Sequence, residues 1–208
     1  PRFMPRALAA LGAAMASATL FLSASQGGWG FLDWTLARRF RGIAADAAAL
    51  WGAAAGPDGV GGPFADGLFH AAELQSRFHP ALLALASLAG LAVAWWAFRR
   101  LAVGERAPLR PLREFRFPDD LVWLLIAGIL LVILPLGEPA LRAGSNVLIF
   151  MGALYALRGV AVVLALLGVT GLATVMLGVI ALIFLPMVMV ATALVGLTDT
   201  WFDLRARR

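Results

Sequence analysis

The chain has 208 residues, of which 62% are hydrophobic and 14% charged; counting glycine and leaving out the single tyrosine, the apolar share is roughly 72%, against roughly 45–50% in soluble chains. A soluble domain of this size needs polar cover that is missing here, which excludes a soluble enzyme, a disordered chain and a coiled coil, and makes the bilayer the solvent. The net charge is +5, all 17 basic residues are arginine, and the absence of cysteine removes disulfides, thiolate metal sites and thiol nucleophiles.

In chain order, the first apolar run is Ala7 to Ser25, after Arg2 and Arg6. It has the length of a membrane span, and a signal peptide is the competing reading. Residues 26–80 carry four arginines and five acidic residues. Within them Leu36, Phe40, Ile43, Ala47, Leu50 and Trp51 recur at helical spacing beside Arg38, Arg39, Arg41 and Asp46. That pattern predicts an amphipathic helix lying in the interface or capping the bundle. The run Ala53 to Pro63 predicts a break, and Phe64 to Phe78 a second short helix.

A second span is expected at Ala81–Phe98, ending in Trp95, Trp96, Arg99 and Arg100 as an interfacial anchor. Residues 99–120 form a polar connector with six arginines and three prolines. The third span is expected at Leu121–Leu136, followed by a turn with Gly137, Pro139 and Gly144. The fourth is Asn146–Leu167, and a Gly168–Gly171 turn leads to the fifth, Leu172 to about Leu197. From Leu172 to Leu204 a single helix would measure ~50 Å, longer than one bilayer core, and Pro186 lies inside it, so tilt, a kink and two short segments are all open.

The sequence therefore predicts an all-α fold, a polytopic helical bundle of about five spans (7–25, 81–98, 121–136, 146–167 and 172–197) with an amphipathic extramembrane region at 26–80. The whole is read as one membrane domain over residues 1–208, with a truncated amino end because the chain begins at Pro1. Arginine bias puts the amino end and the 99–120 connector in the cytoplasm. Five spans then put the carboxyl end outside, in conflict with its Arg205, Arg207 and Arg208. The bilayer is the expected partner, with the arginines meeting head groups, and nucleic acid is not.

Arg158 is the most informative residue. It lies twelve residues after Asn146 and nine before Leu167, ~18 Å and ~13 Å along a helix. A charge at that depth is costly and needs a partner. No acid lies at its depth within any of the expected spans. The candidates are Asp119 or Asp120 reached by snorkelling, backbone carbonyls, an anionic lipid or an anionic ligand. Tyr155 shares its face. Arg158, Tyr155 and Asn146 are thus candidate pocket residues, and a structural clamp is the competing reading for Arg158. Asn146 is a plausible N-cap, expected beside Asp199 if the last spans form a hairpin. Asp199, Asp203 and Arg205 are expected to tie the helix end, with Trp201 and Phe202 as anchors. Ala9, Ala13 and Ser17 form a small-residue face suited to helix docking. His70 and Glu73 stand one turn apart without a convincing third ligand, so no metal and no cofactor is expected. P-loop, G-x-S-x-G and H-E-x-x-H patterns are absent from the sequence, and no reaction is expected of the chain itself.

Three segments, REFRFPDDLVWLL (113–125), NVLIFMGALYALRGVAVV (146–163) and GLTDTWFDLR (196–205), resemble the bacterial membrane family known as domain of unknown function 2232, the YybS-like proteins. The resemblance covers roughly residues 80–208. It implies a longer chain with more spans, a bacterial inner-membrane location, and a polar residue, often glutamine, at the position of Arg158. The family is grouped distantly with the S components of energy-coupling factor transporters. That grouping implies a solute-binding subunit of transport type, with the 31–78 region as a lid and docking on a separate ATP-driven coupling module. A non-catalytic membrane scaffold or interaction protein is the alternative.

Overall fold

A computed structural model describes residues 3–25, 27–55, 61–102, 115–168, 172–202 and 204. The described residues form eight α-helices and no strand. They are α1 (Phe3–Ala24), α2 (Gly28–Ala55), α3 (Gly61–Arg77), α4 (His79–Leu101), α5 (Val122–Ile133), α6 (Glu138–Leu167), α7 (Leu172–Ile183) and α8 (Leu185–Phe202). Four of them, α1, α4, α6 and α8, are long and apolar enough to cross a bilayer. The fold is an all-α bundle of membrane type.

Several boundaries differ from the sequence reading, each for a local reason. The fourth expected span is α6, which opens at Glu138, not Asn146. Gly137, with φ +90°, makes the turn, Pro139 sits at the helix start, where a missing N–H costs nothing, and Glu138 stands in the positive first turn. Gly144 is therefore helical and lies within α6. α5 stops at Leu134, which Pro135 holds extended (ψ 136°). The last hydrophobic stretch is two helices, parted at Phe184, with Pro186 in the first turn of α8. α6 ends on Gly168 at φ +61°, a left-handed cap whose N–H reaches the Leu164 carbonyl at 3.3 Å.

The chain divides into two compact units. One is Ala9–Ala86, dominated by packing of α2 against α3. The buried residues of that helix pair are small, Ala44 and Ala72, and Trp51 stacks on Phe64 at 4.8 Å. The apolar stripe of α2 is unevenly covered within this unit. Leu36, Phe40 and Ala47 are half-buried, whereas Ile43 and Leu50 are exposed with Phe31 and Trp34. Small residues admit the closer approach, so Ala44 wins the inner position over its bulky neighbour.

The other unit is Pro1–Leu8 with Ser87–Arg208. Its core joins Ala7 of α1, Leu88 of α4, Phe117, and Met151, Leu154 and Tyr155 of α6. In lipid, apolar burial alone gives little drive for helix association, and close packing of small residues takes over. α5 and α6 meet through Gly128 and Gly144: a Cβ on Gly144 would stand 2.8 Å from Leu131 Cβ and 2.9 Å from the Gly128 carbonyl oxygen. α6 and α8 meet still more closely. A Cβ on Gly159 would collide with the Thr192 carbonyl oxygen, and one on Gly196 with that of Tyr155. The partners run antiparallel: Tyr155 faces Gly196, and Gly159 faces Thr192.

Candidate functional site

The glycine crossing of α6 and α8 creates the site. Arg158 is the neighbour of Gly159, and Asp199 lies one turn beyond Gly196. With the two backbones in contact, a side chain from one helix reaches the other without leaving the protein. Arg158 Nε donates to Asp199 Oδ2 at 2.9 Å, and Nη2 donates to the Asp199 carbonyl at 3.3 Å. Asp199 Oδ1 accepts the Leu204 N–H at 3.1 Å, which fixes the carboxylate from its other side. Both residues are buried; the Asp199 side chain has no exposure at all.

A second carboxylate comes from a different element. Residues 115–118 are non-helical, and Asp119–Leu121 form a single 3₁₀ turn ahead of α5. Arg158 Nη1 donates to Asp119 Oδ1 at 2.5 Å, and the Asp119 side chain is 62% exposed. The same segment delivers Phe117, which is buried. The guanidinium carbon sits 5.4 Å from the Phe117 ring centroid, and Tyr155 meets that ring edge-on at 5.1 Å. Non-helical backbone is tolerated at membrane depth only when buried in protein or lining an aqueous cavity. Here Phe115 and Phe117 pack into the core of the unit.

Among the described residues the centre holds two carboxylates for one guanidinium. Arg158 with Asp199 is neutral, and Asp119 is a surplus negative charge. Such a pair does not earn much stability over an apolar substitute, but a lone charge left behind costs about 3–5 kcal/mol. The Tyr155 hydroxyl is buried and makes no hydrogen bond. The Thr200 hydroxyl interacts with it and gives its own proton to the Gly196 carbonyl at 3.4 Å. An unsatisfied buried hydroxyl costs about 1–3 kcal/mol.

Of the residues singled out from sequence, Arg158, Tyr155, Asp199 and Asp119 come together. Asn146 does not join them. It lies two turns inside α6, not at its start, and its side-chain amide donates to the Arg142 carbonyl at 2.9 Å. Asp203 and Arg205 lie outside the described residues. Ala9, Ala13 and Ser17 are exposed on α1. His70 and Glu73 are exposed on α3, and among the described residues no metal-binding group of three occurs. Phe117 and the role of Asp199 escaped the sequence reading. Asp199 was placed just past a span ending at Leu197, so the rule that a lone intramembrane base seeks a lone intramembrane acid had no acid to apply to.

A helical bundle with four bilayer-length apolar helices and an ion-paired arginine inside one of them defines an integral membrane protein of several spans. More narrowly, the chain belongs to the family described as "Predicted membrane protein (DUF2232)", whose model matches residues 62–200. No curated protein and no solved structure matches it.

Proposed function

We propose that the chain is the solute-binding membrane subunit of a transport-type assembly, with no reaction of its own. The observation that carries the reading is the ionic centre at Arg158, reached by the solvent-exposed carboxylate of Asp119. Ionisable groups are kept within membrane helices at a cost and mark ligand and ion pathways. Transporters also build such sites where regular helix gives way to irregular backbone, as residues 115–121 do here. A role like that of an S component in an energy-coupling factor transporter is part of this proposal. Docking on an ATP-driven module would use the exposed face of Ala9, Ala13 and Ser17, and a bacterial inner membrane would be its setting.

The test is thermal unfolding of the full-length protein in nanodiscs against a panel of vitamins, small carboxylates, phosphate and divalent cations. A bound solute at 100 times its Kd adds about 2.7 kcal/mol of stability. A concentration-dependent rise in Tm with one chemical class is the expected result, and a flat response to the whole panel would count against the proposal.

A second reading, a membrane scaffold, is favoured by one observation: the charge of Arg158 is already met from within by two carboxylates. It predicts a stoichiometric protein partner that co-purifies in mild detergent, with no small molecule bound.

A further inference from the structure

We infer that Arg158 Nη1 is the anchor for an anionic oxygen group, a carboxylate or a phosphate, and that Asp119 is the internal occupant which that group displaces. The inference rests on the solute-binding reading and names its ligand chemistry.

The two carboxylates on Arg158 differ in every respect that matters to exchange. Asp199 holds two of the guanidinium nitrogens, is fully buried, and is pinned by the Leu204 N–H. Asp119 holds only Nη1, stands on a three-residue turn, and is mostly exposed. Asp119 can therefore leave without stripping Arg158 of its counter-ion. The charges agree. Arg158 and Asp199 already balance, so a monoanion taking the place of Asp119 leaves the centre's charge unchanged and no bare guanidinium is buried. A guanidinium recognises planar carboxylates and phosphates by its fixed fork of donors, which makes these oxygen anions the fitting class.

An independent feature points the same way. The Tyr155 hydroxyl is a buried donor with no acceptor, on the ring that packs against Phe117 under the guanidinium. It belongs to the same cluster as the exchangeable position. A side chain whose only role was packing would serve as well without its hydroxyl. Among the described residues the hydroxyl makes no hydrogen bond, and a ligand oxygen would supply an acceptor.

The experiment compares wild-type protein with Asp119→Ala and with Asp119→Ala/Tyr155→Phe, folding being checked by far-UV circular dichroism. Each is titrated with inorganic phosphate and with sodium acetate in neutral detergent at constant ionic strength, sodium chloride being the matched control, and Tm is read. A parallel arm uses nanodiscs of phosphatidylglycerol against phosphatidylcholine. The expected result is that loss of the internal competitor tightens phosphate or acetate binding about tenfold, and that removing the Tyr155 hydroxyl then weakens it several-fold. Asp119→Ala with anion affinity equal to wild type overturns the inference, even if wild type binds a solute from the panel above, in which case the transport reading survives alone. A gain in the phosphatidylglycerol arm only keeps the anchor, assigns it to a lipid head group, and removes the solute-binding reading.

Discussion

Arg158 and its two acids set apart what burial does to a charge from what a surface ion pair does. Asp199→Ala removes the buried partner and leaves a guanidinium with one exposed counter-ion, so it is expected to destabilise the protein by about 3–5 kcal/mol. Asp119→Ala removes a partner that is 62% exposed; its pair is screened, and the expected loss is about 0–1 kcal/mol. Replacing Arg158 and Asp199 together by leucine should recover most of the first loss, because an apolar pair needs no desolvation. Thermal or denaturant unfolding in one detergent orders the three variants, and equal losses for the two aspartates would contradict the assigned burial. Tyr155→Phe gives a separate check. Its hydroxyl has no bond to lose, so stability should hold within about 0.5 kcal/mol or rise; a larger loss would reveal a bond to Thr200. The sequence made Arg158 conspicuous because a lone charge in an apolar run has one physical explanation, a partner. It also offered Asp119. Asp199 was harder to see, since the helix that carries it continues past the point where the apolar run fades into TDTWFD.

At the scale of elements, glycine decides which helices touch. Gly159 and Gly196 lie where the α6 and α8 backbones meet, whereas Gly152, also on α6, has open space where its Cβ would stand. Gly159→Ala should therefore cost about 1–3 kcal/mol through overpacking. Gly152→Ala should gain up to about 1 kcal/mol from helix propensity. Because Gly159 positions its neighbour, Gly159→Ala should also weaken the Arg158–Asp199 pair. A double-mutant cycle between Gly159→Ala and Asp199→Ala is expected to be non-additive by more than about 0.5 kcal/mol. Additive losses would mean that the crossing and the ion pair are independent. The helices themselves were largely legible from runs of apolar residues, with α1, α4 and α5 close to their expected spans. What the pattern could not supply was which glycine is a crossing point and which merely faces lipid, because both occur in the same apolar context.

For the whole molecule, the Arg158 centre brings two distant stretches of the chain to one depth. Asp119 ends the basic connector, and Asp199 with Leu204 closes the described carboxyl end, yet both carboxylates hold one guanidinium. The absence of native cysteine makes the point directly measurable. Asp120→Cys and Leu204→Cys, each a unique thiol in the full-length protein, should react with a membrane-impermeant maleimide from the same side of sealed inverted vesicles and be protected together in right-side-out ones. Labelling from opposite sides would require the Asp119 and Asp199 carboxylates to be separated by the bilayer, and no single guanidinium could then hold both.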